Sequence, residues 1–241
     1  MTAVELAAAI SSRGISRLTH FTNSRNLPHI LHAGEISSTE SLRERGEPFV
    51  ITDPARIDGH LGHVCCNIEY PNMFYFDMAT TRRPNVNYSD WVVFLIDPAV
   101  LLQEGVLFAP SNAARRSGRD LASGLEGLMS QYVDTVNERP RSLNHFSASP
   151  TDVQAEVLIP SSIPLSAVQG IVVSDEASLN RELARLGQLR REPERFPWFV
   201  SRELFRKYAV VSAVRSSTEI RVDGPYRQLL PKESEPNGLH G

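Results

Sequence analysis

Cysteine is nearly absent from this chain of 241 residues: there are two, and they are neighbours, Cys65 and Cys66. Adjacent cysteines close a strained ring, and no third thiol exists to pair with, so a disulfide-stapled scaffold is excluded. A reducing cytoplasm is the expected location. Long apolar runs are missing as well. None approaches the ~20 residues of a membrane span, so no membrane partner is expected, and no basic segment precedes an apolar one at the N-terminus. Neither sign of charge dominates, with 25 Lys and Arg against 28 Asp and Glu, a formal charge of −3. That balance speaks against non-specific coating of duplex nucleic acid but leaves room for a local basic groove. The 14 glycines include no GxGxxG and no P-loop, so phosphate binding by a glycine-rich turn is not encoded. The GxSxG of a hydrolase elbow is missing too. His60 and His63 precede the cysteine pair, but adjacent cysteines lack the looped spacing that zinc takes, and no metal is expected.

What is present is an ordinary globular composition, 41% hydrophobic and 22% charged. Apolar residues at helical spacing (Val4, Leu6, Ala7, Ile10) give a helix over Thr2–Arg13, ended by Gly14. A strand is expected at Ser16–Phe21, and a helix at Asn26–Ala33 closed by Gly34. Residues 35–60 lack periodicity and read as a long loop. Strands follow at His63–Glu69, Met73–Phe76, Trp91–Asp97, Val106–Phe108, Ala155–Ile159, Val168–Ser174 and Tyr208–Val214. Helices are expected at Asp120–Val133 and Ala177–Gln188. Strands and helices mix without a βαβ alternation, which favours an α+β fold over a doubly wound one. The chain reads as a helical extension (residues 1–14), one domain (15–221) and a loose, Pro- and Gly-bearing tail (222–241).

Three separated pieces carry candidate chemistry. In Thr19-His20-Phe21-Thr22, His20 and Thr22 project from one face of a strand, suited to the ribose and amide ends of a dinucleotide. A structural histidine accounts for the same pattern. In the polar loop, Arg56 offers a bidentate partner for a phosphate or a ribose-bound group, or is simply solvated. In Pro150-Thr-Asp-Val-Gln154-Ala-Glu156, a turn runs into a strand whose entrance carries a carboxylate among apolar neighbours. Gln154 shares the side of Glu156, and a carboxylate placed there destabilises the fold unless it is paired or used. Positive charge gathers at Arg115, Arg116 and Arg119, and across residues 181–207, where eight basic residues face four acidic ones. A solvated helix face explains such runs more often than not, and a strand-tracking groove forms from them only together with stacking aromatics.

In order and spacing, the stretches LTHFTNSRNLPHILHAGEI, RIDGH, IEYPNMFYF, WVVFLIDP, SNAA and PTDVQAEVL resemble the DarT family of DNA ADP-ribosyltransferase toxins. The resemblance covers roughly residues 15–215. Its IEYPN and SNAA variants are more similar to one branch of the family than to the thymidine-modifying branch. The resemblance implies an ADP-ribosyltransferase fold, a split β-sandwich with a central NAD cleft and peripheral helices. It implies NAD as co-substrate, transfer of ADP-ribose to thymine or guanine in single-stranded DNA, and reversal by a macrodomain-type antitoxin or other ADP-ribosyl hydrolase. Carried over residue by residue, Glu156 is the catalytic glutamate and Arg56 the catalytic-loop arginine. His20, Thr22, Asn26 and Tyr75 would bind NAD. Asn144, His145 and Gln154 belong to the substrate-recognition turn, with Arg115, Arg116 and Arg119 toward DNA. A monomer is expected. An enzyme of this fold acting on RNA or protein, or a binding module without turnover, remains an alternative reading of the same residues.

Overall fold

The apolar run Trp91–Ile96 forms the middle of the molecule, because a strand buried on both faces belongs at a sheet centre. In the computed structural model, residues 3–53, 55–81 and 90–226 are described. The chain opens with α1 (Ala3–Arg13), β1 (Leu18–Asn23), α2 (Leu27–Ala33), β2 (Glu35–Ser37) and α3 (Thr39–Glu44). Next come β3 (His63–Ile68), α4 (Met73–Thr81), β4 (Trp91–Ile96), β5 (Leu107–Ala109), β6 (Ala122–Ser123) and α5 (Gly124–Ser130). After β7 (Thr135–Val136) and β8 (Arg139–Pro140), the strands β9 (Glu156–Pro160), β10 (Ser162–Pro164) and β11 (Val168–Val173) lead to α6 (Glu176–Gln188). The last elements are β12 (Trp198–Val200), α7 (Lys207–Ser216) and β13 (Asp223–Tyr226).

Nine strands run in the order β13-β12-β11-β4-β1-β3-β9-β5-β6. All neighbours are antiparallel except β11 and β12. The period-two pleat sorts β4 between two cores. Val92, Phe94 and Ile96 join Leu6 and Ile10 of α1, Leu128 of α5 and Leu179 of α6. Val93 and Leu95 face the other way, against Met73, Phe76 and Ala79 of α4 and Val210, Ala213 and Val214 of α7.

The sheet divides at β3. Its C-terminal residues Asn67 and Ile68 pair with Thr19 and Leu18 of β1. Its N-terminal residues His63–Cys66 instead pair with β9. From His20 to Asn23, β1 therefore keeps its pairing with β4 while β3 turns away. The gap between them is a cleft, as the split implied by the family resemblance leads one to expect.

Several elements differ from the sequence reading. Met73–Phe76 is the start of a helix, capped where Asn72 Oδ1 accepts the backbone N–H of Tyr75 at 3.1 Å. A four-residue apolar run cannot distinguish helix from strand by period alone. Tyr208–Val214 is likewise helical: Val210, Ala213 and Val214 are buried at i, i+3 and i+4, while Tyr208 is exposed. The expected long loop 35–60 contains β2 and α3, the latter capped by Ser38. The helix expected over Asp120–Val133 spans only Gly124–Ser130, after the short strand β6. Within the expected tail, Asp223–Tyr226 forms the edge strand β13, and residues 227–241 lie outside the described residues. Gly34 ends α2 as expected, at a φ of +79°.

Candidate active site

The cleft is built where β1 and β3 part. His20, half-buried on β1, reaches across the gap: its Nδ1 donates to the carbonyl oxygen of Cys65 on β3 at 2.8 Å. The acceptor is a carbonyl, so the proton sits on Nδ1. Burial lowers the His20 pKa, and the carbonyl bond opposes that only in part. The ring is thus neutral near pH 7, with Nε2 an acceptor. One turn on, Asn26 Nδ2 donates to Thr22 Oγ1 (2.9 Å) and to the Val50 carbonyl (2.9 Å), while its Oδ1 accepts Val50 N–H (2.7 Å). Asn26 therefore pins the 45–53 loop over the cleft, and its amide is engaged in that role.

Glu156 opens β9 and is 9% exposed. Its Oε1 accepts from Asn72 Nδ2 (3.1 Å) and Asn112 Nδ2 (3.0 Å), and its Oε2 from Ala113 N–H (2.9 Å). Burial raises its pKa to about 7, against these hydrogen bonds and with the help of Asp58 and Asp53 nearby. Behind it, the fully buried Gln131 donates through Nε2 to the carbonyls of Ala109 (2.9 Å) and Glu156 (2.8 Å), joining β5 to β9.

His20 and Glu156 line one cavity, with Phe21, Cys65, Asn67, Tyr75 and Asn112. Through His20 it communicates with a hollow bordered by Thr22, Asn26, His29 and Phe49. On the other side, Tyr75, Asn112 and Asp53 are shared with an open groove of about 450 Å³, whose walls carry Phe74, Met78, Arg115 and Gln154. The result is a channel with Glu156 near its middle.

Arg56 does not reach freely into this channel. It is 8% exposed, with Nε bonded to Asp58 (3.2 Å), one terminal nitrogen donating to the His63 carbonyl (3.1 Å) and the other to the His60 carbonyl. It organises its own loop and touches the channel wall beside His20 and Cys65. The alternative of a solvated arginine is not realised, since Arg56 is half of a buried ion pair. Among the DNA-side candidates, Arg115 borders the groove, and Arg119 is exposed. Arg116 is paired with Asp120 at 2.7 Å. Asn144 is exposed, whereas His145 Nε2 donates to the Pro150 carbonyl (2.9 Å) and shapes its own loop. In the 181–207 stretch, Arg181 is paired with Asp90 and Lys207 with Asp77. Cys65 borders the cleft and Cys66 is buried, on opposite faces as a strand requires. Among the described residues no group of three or more His, Cys, Asp and Glu side chains is arranged for a metal.

Sequence reasoning missed Asn67, Asn72, Asn112 and Gln131. Asn72 and Asn112 lie inside the IEYPN and SNAA stretches, so their signal was present, but their convergence on Glu156 spans 84 and 44 positions.

A split sheet holding a buried glutamate at a strand entrance, opposite a histidine on the facing strand, defines an ADP-ribosyltransferase-type fold. The family described as ssDNA thymidine ADP-ribosyltransferase, DarT, matches residues 19–197. That match spans most of the sequence, and the chain belongs to the DarT family. Solved structures agree on the fold. Thermus sp. 2.9 DarT in complex with NAD+ is 12% identical, with a TM-score of 0.56 over 80% of this chain and 98% of that one. Thermus sp. 2.9 DarT in complex with ADP-ribosylated ssDNA is 13% identical, with a TM-score of 0.52 over 80% and 97%. Thermosipho africanus DarTG in complex with ADP-ribose is 12% identical with a TM-score of 0.52; this chain covers 51% of its length and aligns over 79% of its own. No curated protein sequence gives a significant match. No described helix is long and apolar enough to cross a membrane.

Proposed function

We propose that this chain transfers ADP-ribose from NAD to a base of single-stranded DNA, with Glu156 as the catalytic carboxylate. One observation carries the reading: a buried glutamate with a pKa of about 7 shares a cavity with the neutral His20, at the point where the sheet opens. Its family, described by ssDNA thymidine ADP-ribosyl transfer, points to the same chemistry, as does the Thermus relative in complex with ADP-ribosylated ssDNA.

The bond broken joins C1′ of the nicotinamide ribose to the pyridinium nitrogen, and its electron pair leaves with neutral nicotinamide. The ribose acquires oxocarbenium character, as in glycoside cleavage. An ionised Glu156 in a water-poor cleft stabilises that charge strongly. The acceptor nitrogen then bonds to C1′ and loses its proton, and a carboxylate with a pKa near the working pH is suited to take it. His20 and Thr22 hold the NAD side, with Tyr75 on the wall near the reacting ribose. Gln154 and Arg115 face the acceptor, Gln154 toward a base edge and Arg115 toward a backbone phosphate. Asn144 and Arg119 extend the acceptor side. Arg56 acts by holding the loop that borders the reacting centre. Within a toxin–antitoxin pair, the partner would be a macrodomain-type antitoxin that removes the modification, and the setting the cytoplasm.

Incubation with NAD and oligonucleotides each enriched in one base, read by mass spectrometry, tests this. The expected product is an oligonucleotide carrying one ADP-ribose, on thymine as the family description has it or on guanine in line with the IEYPN and SNAA variants. The base that carries the added mass identifies the acceptor. Modification of RNA or protein in place of DNA overturns the reading, as does full activity in Glu156→Ala. That variant is expected to bind NAD without transferring.

A further inference from the structure

We propose that Asn72 and Asn112 are positioning residues for Glu156, two amides rooted on separate segments, the start of α4 and the loop after β5, that hold its carboxylate in one orientation. The proposal rests on the catalytic reading of Glu156 above. Asn72 is 1% exposed and stands at the start of α4. Its Oδ1 accepts the Tyr75 N–H at 3.1 Å, its own N–H donates to Asn67 Oδ1 at 2.9 Å, and Asn67 Nδ2 donates to the Ala155 carbonyl at 2.8 Å. A closed circuit of hydrogen bonds thus joins β3, the tip of α4 and the entrance of β9. Asn112 sits in the loop after β5, where its Oδ1 accepts the Ala114 N–H at 3.0 Å.

These contacts fix the amide orientations. Each Oδ1 is committed to a backbone N–H, so each Nδ2 must face the carboxylate, and neither amide can turn over to accept a proton. Glu156 is therefore met only by donors: two on Oε1 and the Ala113 N–H on Oε2. A carboxylate offers about four acceptor positions. Three are filled by the protein, which leaves roughly one, on Oε2, for a substrate hydroxyl or acceptor proton. The two anchors also connect to different parts of the channel. Asn72 shares its cap with Tyr75, which borders the cavity holding His20. Asn112 begins the segment leading to Arg115 in the open groove. Displacement of either segment changes the direction in which Oε2 points, and that couples both halves of the channel to one reacting atom.

Other groups near the carboxylate are Asp53, Arg56 and Asp58 of the loop before β3, Cys65 of β3, His20 of β1 and Tyr75 of α4. None is changed by substitution of the asparagines. Asn72→Asp and Asn112→Asp keep the oxygen that accepts the backbone N–H, replace the donor by a second carboxylate, and nearly preserve volume. An added negative charge beside Glu156 disfavours its ionised form.

The test is label transfer from NAD to a single-stranded oligonucleotide across pH, with wild type, Asn72→Asp, Asn112→Asp and Glu156→Gln, each checked for folding by thermal melting. Each aspartate variant is expected to move the midpoint of the acidic limb of kcat upward by about one pH unit. At neutral pH kcat then falls roughly fivefold, while KM for NAD stays within about twofold. Part of the lost rate returns at alkaline pH, and the plateau stays below that of wild type because the orienting donor is gone. If Asn72→Asp does not fold, Asn112→Asp decides, and if neither folds, Asn112→Ala is read for a smaller shift in the same direction. Folded variants with an unmoved limb and wild-type kcat overturn the proposal. A loss confined to KM overturns it too. An inactive wild type, or an active Glu156→Gln, overturns the catalytic reading itself, and that result is distinct from an active wild type with unmoved asparagine variants.

Discussion

His20 Nδ1 donates to the carbonyl oxygen of Cys65 across 2.8 Å, bridging β1 and β3 just beyond the Thr19–Asn67 pair where their ladder ends. A side chain thus replaces the strand-to-strand bond that the split removes, and its other nitrogen is left as an acceptor on the cleft wall.

Substitution of this bridge should weaken NAD binding. His20→Ala is expected to raise the NAD Kd about tenfold by calorimetry, the value of one hydrogen bond and its packing. Because burial lowers the His20 pKa, the ring is already neutral near pH 7. In Glu156→Gln, which lacks the carboxylate that titrates near pH 7 in the same cavity, NAD affinity should therefore vary little between about pH 6.5 and 8. Affinity that climbs steadily over that interval would show instead a histidine that titrates there.

Glu156 makes stability depend on pH in a direction opposite to that of most carboxylates. Its folded pKa, about 7, lies above the usual value of 4.5. The folded state therefore holds the proton more tightly, and stability declines as pH rises from the unfolded pKa through the folded one. The full effect is about 3 kcal/mol at most, because a tenfold difference in proton affinity between the two states is worth roughly 1.4 kcal/mol. Glu156→Gln removes this dependence. Chemical denaturation of both proteins at about pH 5 and pH 8 should show wild type losing stability relative to the glutamine variant at the higher pH. Parallel profiles would refute the raised pKa.

Arg56 and Asp58 form a buried pair, 8% and 6% exposed, inside the loop before β3. Removal of one partner strands the other without water. Arg56→Ala is expected to cost about 3–5 kcal/mol, readable as a melting temperature lowered by roughly 6–20 °C. Combining it with Asp58→Ala should lose less than the sum of the single losses. Additive losses would show that the pair is not coupled.

Gly118 sits at a φ of +77°, and a Cβ there would lie 2.6 Å from the backbone oxygen of Asp58. Its loop carries Asn112 and Ala113, which hold Glu156, and rests directly on the loop of Arg56. Gly118→Ala should cost about 1–2 kcal/mol from backbone conformation alone, with a further loss from the contact. The separation it forces should lower kcat more than NAD affinity. Wild-type kcat in that variant would show that the two loops move independently.

How far the site is legible follows from how local each signal is. Glu156 stands out because a carboxylate at the entrance of an apolar strand is conspicuous in a short window. His20 and Thr22 are legible by the two-residue period of β1. Arg56 can be located, but its burial cannot, because Asp58 and the carbonyls of His60 and His63 close around it only when the loop folds back on itself. His145 is placed toward DNA by its position in the turn, yet its ring is hydrogen-bonded within that turn.

The sequence by itself determined the local facts: the helix of Ala3–Arg13, the end of α2 at Gly34, the buried central strand of Trp91–Ile96, the absence of disulfides, and a glutamate that demanded a partner. Their signals lie in neighbouring residues and in the period of burial. Tertiary structure alone decided that Met73–Thr81 is a helix, because it covers the second face of the sheet and its short apolar run has no period of its own to read; Lys207–Ser216 covers the same face, and its Val210, Ala213 and Val214 carry a helical spacing in the sequence. It also decided where the cleft opens, since β3 divides its pairing between β1 and β9. Finally, it brought Asn72 and Asn112 to one carboxylate oxygen from distant parts of the chain, a convergence that exists only after the strands have been placed side by side.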